Sequence, residues 1–334
     1  PGISRGMGKP GFGRDEIKRP AGMVLAVAGR GDHGDNSLKC LPSFESSFDN
    51  ALLESGRPET GVGNEQDGVF PGGGGHGHEC IAGGRGHVDP VLFERILLRQ
   101  LRQAAGLRDL GVAQGSHVLC WLPNCKEAVL TWFGANYLGA VFVPVNTAYR
   151  GNLLQHVIAL SDATLMIGDA ELLPLLEKVD TAQLSDIVVV GGGPPSINGL
   201  AFHPASAITP NAKVGDAYKS QPWDCNYIIF TSGTTGPSKA VQCTYLQAWS
   251  GAAEAMYYFD EHDRLLANLP MFHVSGTGAV MDRLIKGGSC VLVDGFSTSS
   301  FWDTVRQYEI TGTCLVGAMT QFLLKKPKSD DDRD

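Results

Sequence analysis

The chain has 334 residues, 43% of them hydrophobic, with a formal net charge of −8. That length holds one large or two medium domains around an apolar core, and the acidic balance lacks the basic footprint of a nucleic-acid binder. Eight cysteines at irregular spacing, with no C-x-x-C pair, read as reduced and mostly buried thiols of a cytoplasmic protein, not as a disulfide framework.

Residues 1–87 differ from the rest: they hold 21 of the 43 glycines, including four in the PGGGG run at 71–75, and show little hydrophobic periodicity apart from Met23–Ala28. Such a segment buries little against its conformational entropy, so a disordered or foreign leader is expected there. His76, His78 and Cys80 are zinc-ligating residue types, but no second ligand pair follows at a zinc-finger spacing, and no metal ligand is assigned. No signal-peptide pattern is visible. The sequence begins at Pro1 and stops at Asp334 just past a helical pattern, which suggests a partial chain.

From Val91 the pattern becomes regular. Leu97, Leu101 and Ala104 or Ala105 recur at helical spacing, and Gly106 to Gly111 reads as the end of that helix. His117–Pro123 predicts a strand, Pro123-Asn124 a turn, Lys126–Leu138 a helix and Val141–Val145 a strand. The uncharged run Ala128–Tyr149 is long enough to span a bilayer, yet Gly134, Asn136, Gly139 and Pro144 fit helix, turn and strand better, and no membrane span is predicted. Helix Asn152–Leu160, strand Thr164–Ile167, helix Glu171–Val179 and strand Ile187–Val190 follow. This alternation predicts parallel βαβ units. Gly191-Gly192-Gly193 lacks the G-x-G-x-x-G pattern and a following helix, so no dinucleotide site is read there. Residues 191–223 read as a linker rich in Pro, Gly, Ser and Ala.

The most distinctive stretch is Tyr227–Val241, YIIFTSGTTGPSKAV. A short apolar strand runs into Thr231-Ser232-Gly233-Thr234-Thr235-Gly236-Pro237-Ser238-Lys239. Glycines let the backbone approach an anion, hydroxyls donate to phosphate oxygens, and the lysine adds a point charge. The Walker pattern G-x-x-x-x-G-K-[ST] is not met, because Lys239 stands three residues past Gly236 and Ala240 follows it. A helix over Tyr245–Tyr257 is predicted next, with Thr244 as N-cap. Strand Leu265–Leu269 leads into Pro270-Met271-Phe272-His273-Val274-Ser275-Gly276 and a helix to about Ile285. Strand Ser289–Val293, helix Phe301–Tyr308, strand Thr313–Val316 and a short helix from Ala318 complete the chain.

The Thr231–Lys239 string closely resembles the phosphate-binding signature of the adenylate-forming, AMP-dependent synthetases, [ST]-S-G-[ST]-T-G-x-P-K-G. Pro237-Ser238 and Ala240 depart from it, and the Gly-Pro-Ser-Lys variant looks like the carnitine/crotonobetaine-CoA ligase branch. The stretch from Gly106 to Arg150 is similar to the early block of acyl-CoA synthetases. PMFHVSG is similar to their L-P-x-F-H-x-x-G motif near the acyl pocket, where amino-acid-activating relatives usually carry aspartate. Thr313–Gln321 is similar to their V-P-x-M region, with Gly317 in place of proline; a plain strand-to-helix turn reads these residues equally well.

The resemblance implies an α/β fold of layered, parallel-rich sheets flanked by helices. Residues 88–334 would form part of a large N-terminal domain, with a C-terminal domain absent. It implies an acid–thiol ligase: ATP and a fatty or short-chain carboxylic acid give an acyl-adenylate, and CoA takes the acyl group. Thr231, Ser232, Gly233, Thr234, Thr235, Gly236 and Lys239 would hold the β- and γ-phosphates, with Mg2+ bridging phosphate oxygens. Lys239 and His273 would be catalytic, and Phe272, His273, Val316 and Gly317 would line the substrate site. The alternative is a truncated, non-catalytic nucleotide- or acyl-binding module.

Overall fold

The computed structural model describes residues 79–80, 101–181, 183–210, 212, 214–231 and 237–327. The rest of the glycine-rich leader, with His76 and His78, lies outside the described residues, as do Ser232–Gly236.

A seven-stranded sheet forms the first half. It contains β2 (His117–Trp121), β3 (Val141–Pro144), β4 (Leu165–Asp169), β5 (Asp186–Val190), β6 (Ala201–Pro204), β7 (Cys225–Thr231) and β8 (Lys239–Thr244), in the order β6-β5-β4-β2-β3-β7-β8. All neighbours are parallel except β7 and β8. Parallel strands covered on both faces read as unbroken apolar runs, and β2 shows how. Its Val118 and Cys120 enter one core with helix α2 (Lys126–Tyr137), while Leu119 and Trp121 enter another with helix α3 (Gly151–Ser161). Helix α1, described over residues 101–109, ends at Gly111, whose φ of +89° suits glycine. Gly139, at φ +73°, makes the turn from α2 into β3. No helix among the described residues is long and apolar enough to cross a membrane.

The second sheet has four strands in the order β1-β10-β9-β11, with β1 (Glu79–Cys80), β9 (Arg264–Ala267), β10 (Ser289–Leu292) and β11 (Gly312–Thr313). β10 and β11 flank β9 in parallel, and β1 joins β10 antiparallel. Helices α4 (Tyr245–Ala253) and α5 (Val274–Lys286) share a core with α2 and with one face of each sheet. Leu266, Val291 and Val293 on the other face of the second sheet pack on α6 (Phe301–Gln307). The layers therefore alternate helix, sheet, helix, sheet, helix. The last helix, α7 (Gly317–Leu324), buries none of its residues.

Several segments depart from the sequence reading, and one is Glu79–Cys80, which forms β1 within the leader expected to be disordered. Residues 171–179 form a short 3-10 helix, Leu173–Lys178, started by Pro174. The expected linker contains β6 and a 3-10 turn at Ala205–Ile208; β6 is a half-exposed edge strand ending in Pro204, with weak apolar alternation. An edge strand, β8, separates the Thr231–Lys239 stretch from α4. Thr244 caps α4 as expected: it accepts from the Gln247 N–H at 3.2 Å, and Gln247 Oε1 accepts from the Thr244 N–H at 3.1 Å.

The two sheets are joined by polar contacts that leave few choices of position. Asn124, 6% exposed, donates from Nδ2 to the carbonyls of Leu269 (2.9 Å) and Val293 (3.1 Å), and its Oδ1 accepts from the Met271 N–H (2.8 Å). Trp132 Nε1 donates to Asn226 Oδ1 at 2.7 Å, and its ring packs against Phe142 and Tyr227, fixing α2 to the start of β7. Tyr227 is buried in the core that α2, α5 and one face of each sheet share. At the far end of α5, buried Asp282 pairs with Arg283, and Lys286 Nζ lies 2.8 Å from Asp282 Oδ1. Arg283 Nη1 also donates to the Asp260 and Asp263 carbonyls at 2.6 and 3.2 Å.

Asn124→Ala removes three hydrogen bonds and strands three buried backbone groups. It should lower the unfolding free energy by about 2–4 kcal/mol, read as a lower urea midpoint with an unchanged slope; a loss under about 0.5 kcal/mol would contradict the clamp. Burial pushes the Tyr227 hydroxyl up to about 12, against about 10 in an unfolded chain. Between those values the unfolded chain has released the proton and the folded chain retains it, so stability falls as pH rises. Tyr227→Phe lacks this loss: wild type should lose stability relative to it across that alkaline window, whereas parallel curves would place Tyr227 in a solvated setting.

Candidate functional site

The pairing of β7 with β8 brings Thr231 opposite Lys239 at the last rung of an antiparallel ladder. Opposed residues in such a ladder lie roughly 4.5–5.5 Å apart at Cα. Both side chains are exposed at this mouth, and the connection between them is the hydroxyl- and glycine-rich string. A hydroxyl donor and an ammonium therefore share one opening, with no acid in the string. This donor set suits anionic oxygens, and the ammonium with no carboxylate beside it disfavours a bare cation. Among the described residues no group of three or more His, Cys, Asp or Glu side chains could hold a metal ion. Next to Lys239, Ser238 is buried, and its carbonyl lies 2.8 Å from His156 Nε2 on α3.

The second sheet contributes Phe272 and His273. Strand β9 ends at Ala267, and Pro270 O accepts from the His273 N–H at 2.9 Å, turning the chain into α5. His273 is the N-cap of α5: its Nδ1 accepts from the Ser275 N–H at 3.3 Å. That bond assigns the lone pair to Nδ1, so the neutral ring carries its proton on Nε2. The ring is exposed and offers an N–H donor at the C-terminal end of a parallel strand, where open α/β sheets bind ligands. Gly276 explains itself sterically, since a Cβ there would lie 2.2 Å from the Pro270 oxygen.

Val316 and Gly317 follow β11, the parallel neighbour of β9, so they leave the sheet at the same end as Phe272 and His273. Val316 is 47% exposed, and a Cβ at Gly317 would meet nothing within 4 Å. The expected strand Thr313–Val316 is shorter, Gly312–Thr313, because β11 pairs with β9 through those two residues. A cavity of about 310 Å³ opens nearby on the α6 face, lined among others by Asn268, Val293, Phe296 and Phe301, and by none of the candidate residues.

Sequence reasoning treated Pro123-Asn124 as a turn and missed its carboxamide as the group that locates Leu269–Met271, just before Phe272. Its partners are 145 to 169 residues away in sequence, so no local pattern announces them. His156 was likewise read only as part of a helix, and its partner lies 82 residues on.

Comparison with known proteins identifies the family of the chain. Residues 93–334 match the AMP-binding enzyme family. A crotonobetaine/carnitine–CoA ligase of Salmonella typhimurium (strain LT2) is 28% identical over 237 residues, 67% of this chain and 45% of that protein. The chain thus spans about half the length of the curated relatives it matches. The inhibitor-bound N-terminal domain of FACL13 from Mycobacterium tuberculosis has a TM-score of 0.62 at 26% identity, covering 70% of this chain and 58% of that one. The anthranilate–CoA ligase AuaEII in complex with anthranoyl-AMP has a TM-score of 0.60 at 27% identity, covering 66% of this chain and 44% of that one. From the matched residues 93–334 and the shared layered fold, the chain belongs to the AMP-binding enzyme family.

Proposed function

We propose that this chain carries the phosphate-binding part of an AMP-forming acid–thiol ligase, and that the full-length protein converts a simple carboxylic acid to its CoA thioester. The observation that carries this reading is the mouth of the β7–β8 hairpin, where the Thr231 hydroxyl and the Lys239 ammonium flank the S-G-T-T-G-P-S connection.

In the first step a carboxylate oxygen attacks the α-phosphorus of ATP, the bond to the β-phosphate oxygen breaks, and pyrophosphate leaves. The protein's work is positioning and charge neutralisation. Thr231, Ser232, Gly233, Thr234, Thr235, Gly236 and Lys239 hold the β- and γ-phosphates, and Mg2+ enters with ATP as part of the substrate. His273 offers its Nε2–H to an oxygen of the carboxylate or adenylate, and Phe272, Val316 and Gly317 border the acyl group. In the second step the CoA thiolate attacks the acyl carbon and AMP leaves. A histidine at position 273, not a carboxylate, favours an acid without an α-ammonium group. The cytoplasm, where ATP and CoA are both available, is the location this reading favours. Residues 1–87 are read as a leader whose Glu79–Cys80 strand pairs with the second sheet, and residues 88–334 as part of the ligase's N-terminal domain.

Lys239→Ala in the full-length protein tests the assignment. A hydrogen bond from a charged group is worth about 1.5–3 kcal/mol, so acid-dependent pyrophosphate exchange should fall about ten- to a hundredfold. Thioester formation from pre-made acyl-adenylate should be spared, because pyrophosphate has already left, and the thermal midpoint should hold, because Lys239 is exposed. Equal damage to both half-reactions, or loss of folding instead of activity, would contradict the phosphate role. Nucleotide binding with no adenylation in the unsubstituted protein would make it a binding module.

A further inference from the structure

The C-terminal foot of the hairpin connection is gripped from outside its own ladder. β8 is an edge strand of the seven-stranded sheet, and its ladder with β7 closes at Thr231 and Lys239. Edge strands with exposed backbone hydrogen bonds open locally more readily than central ones. At this foot, α3 supplies a tie. His156 Nε2 lies 2.8 Å from the carbonyl oxygen of Ser238, and Ser238 is 8% exposed. A carbonyl oxygen can only accept, so Nε2 carries the proton and donates. The helix behind this ring is rigidly seated, because Leu154, Val157 and Ile158 of α3 are fully buried under the sheet.

The consequence reaches Lys239 through one peptide group. The Ser238–Lys239 peptide is planar, so fixing its carbonyl fixes the direction of the Lys239 N–H and the place of the Lys239 Cα from which the side chain starts. Among hydrogen bonds between described residues, the His156 contact is the one from a side chain to residues 237–239.

We propose that His156 is a positioning residue of the phosphate-binding hairpin: its Nε2–H holds the Ser238 carbonyl and thereby keeps Lys239 aimed at a polyphosphate. This rests on the phosphate reading of the hairpin. It adds a residue from a different element, which touches no substrate.

The test uses the full chain and two substitutions of similar size, His156→Met, which lacks a donor, and His156→Gln, whose amide can replace it. The probes are inorganic tripolyphosphate and AMP, titrated calorimetrically. The Met variant should bind tripolyphosphate about three- to tenfold more weakly, the effect of one lost neutral hydrogen bond, while AMP affinity stays unchanged and the Gln variant recovers most of the loss. Tripolyphosphate affinity unchanged in the Met variant, no recovery in the Gln variant, or equal weakening for AMP would overturn the proposal. Lys239→Ala is measured alongside. If it weakens tripolyphosphate and His156→Met does not, the His156 inference alone fails; if neither does, the phosphate reading fails with it. Should the Met variant not fold, the imidazole nitrogen spectrum of the wild type decides. A protonated Nε2 on His156 supports the grip, and a neutral ring protonated on Nδ1 overturns it.

Discussion

The arrangement depends on one buried carboxamide. Asn124 sits in the turn after β2 of the first sheet and binds the backbone of Leu269, Met271 and Val293 beside the second. Two sheets that shared only an apolar interface would have freedom to slide, because hydrophobic contact is non-directional. Three short hydrogen bonds to one side chain remove that freedom at the place where β9 gives way to Phe272 and His273. Trp132, bonded to Asn226, does the same for the first sheet by seating α2 against the root of β7. The polar ties are few, but each lies between an element that ends at the candidate site and the scaffold that must position it.

This division of labour suits a reaction without covalent catalysis. The hairpin mouth supplies hydroxyl and ammonium donors, and the α5 N-terminus supplies a histidine whose tautomer is set by its own cap. What they need is a fixed place, and each has a buried neighbour in sequence: Ser238 just before the lysine, and Gly276, packed on Pro270, three residues after the histidine. Gly276 must lack a side chain for α5 to sit this close to the strand end.

Much of this was legible in the sequence, and the reasons are local. The strand–loop string Tyr227–Lys239 and the PMFHVSG stretch are contiguous, so residue type and order carry the chemistry proposed for them. The parallel strands announced themselves as unbroken apolar runs, because helices cover both faces of the sheet. Edge elements were read poorly: β6 ends in a proline and is half exposed, and β8 opens with a lysine and alternates weakly, so neither shows the pattern of a central strand. The long-range polar ties were not legible at all. Asn124 looks like any turn asparagine and His156 like any helix residue, because their meaning lies in partners dozens to more than a hundred residues away.

The account stands on the claim that the β7–β8 hairpin holds the phosphates of ATP. A crystal structure of the protein with ATP and magnesium addresses it directly. The account places the β- and γ-phosphates at the hairpin mouth, with phosphate oxygens within hydrogen-bond reach of Lys239 Nζ and the Thr231 hydroxyl. ATP bound elsewhere, with Lys239 turned to solvent and the mouth empty at saturating nucleotide, would contradict it.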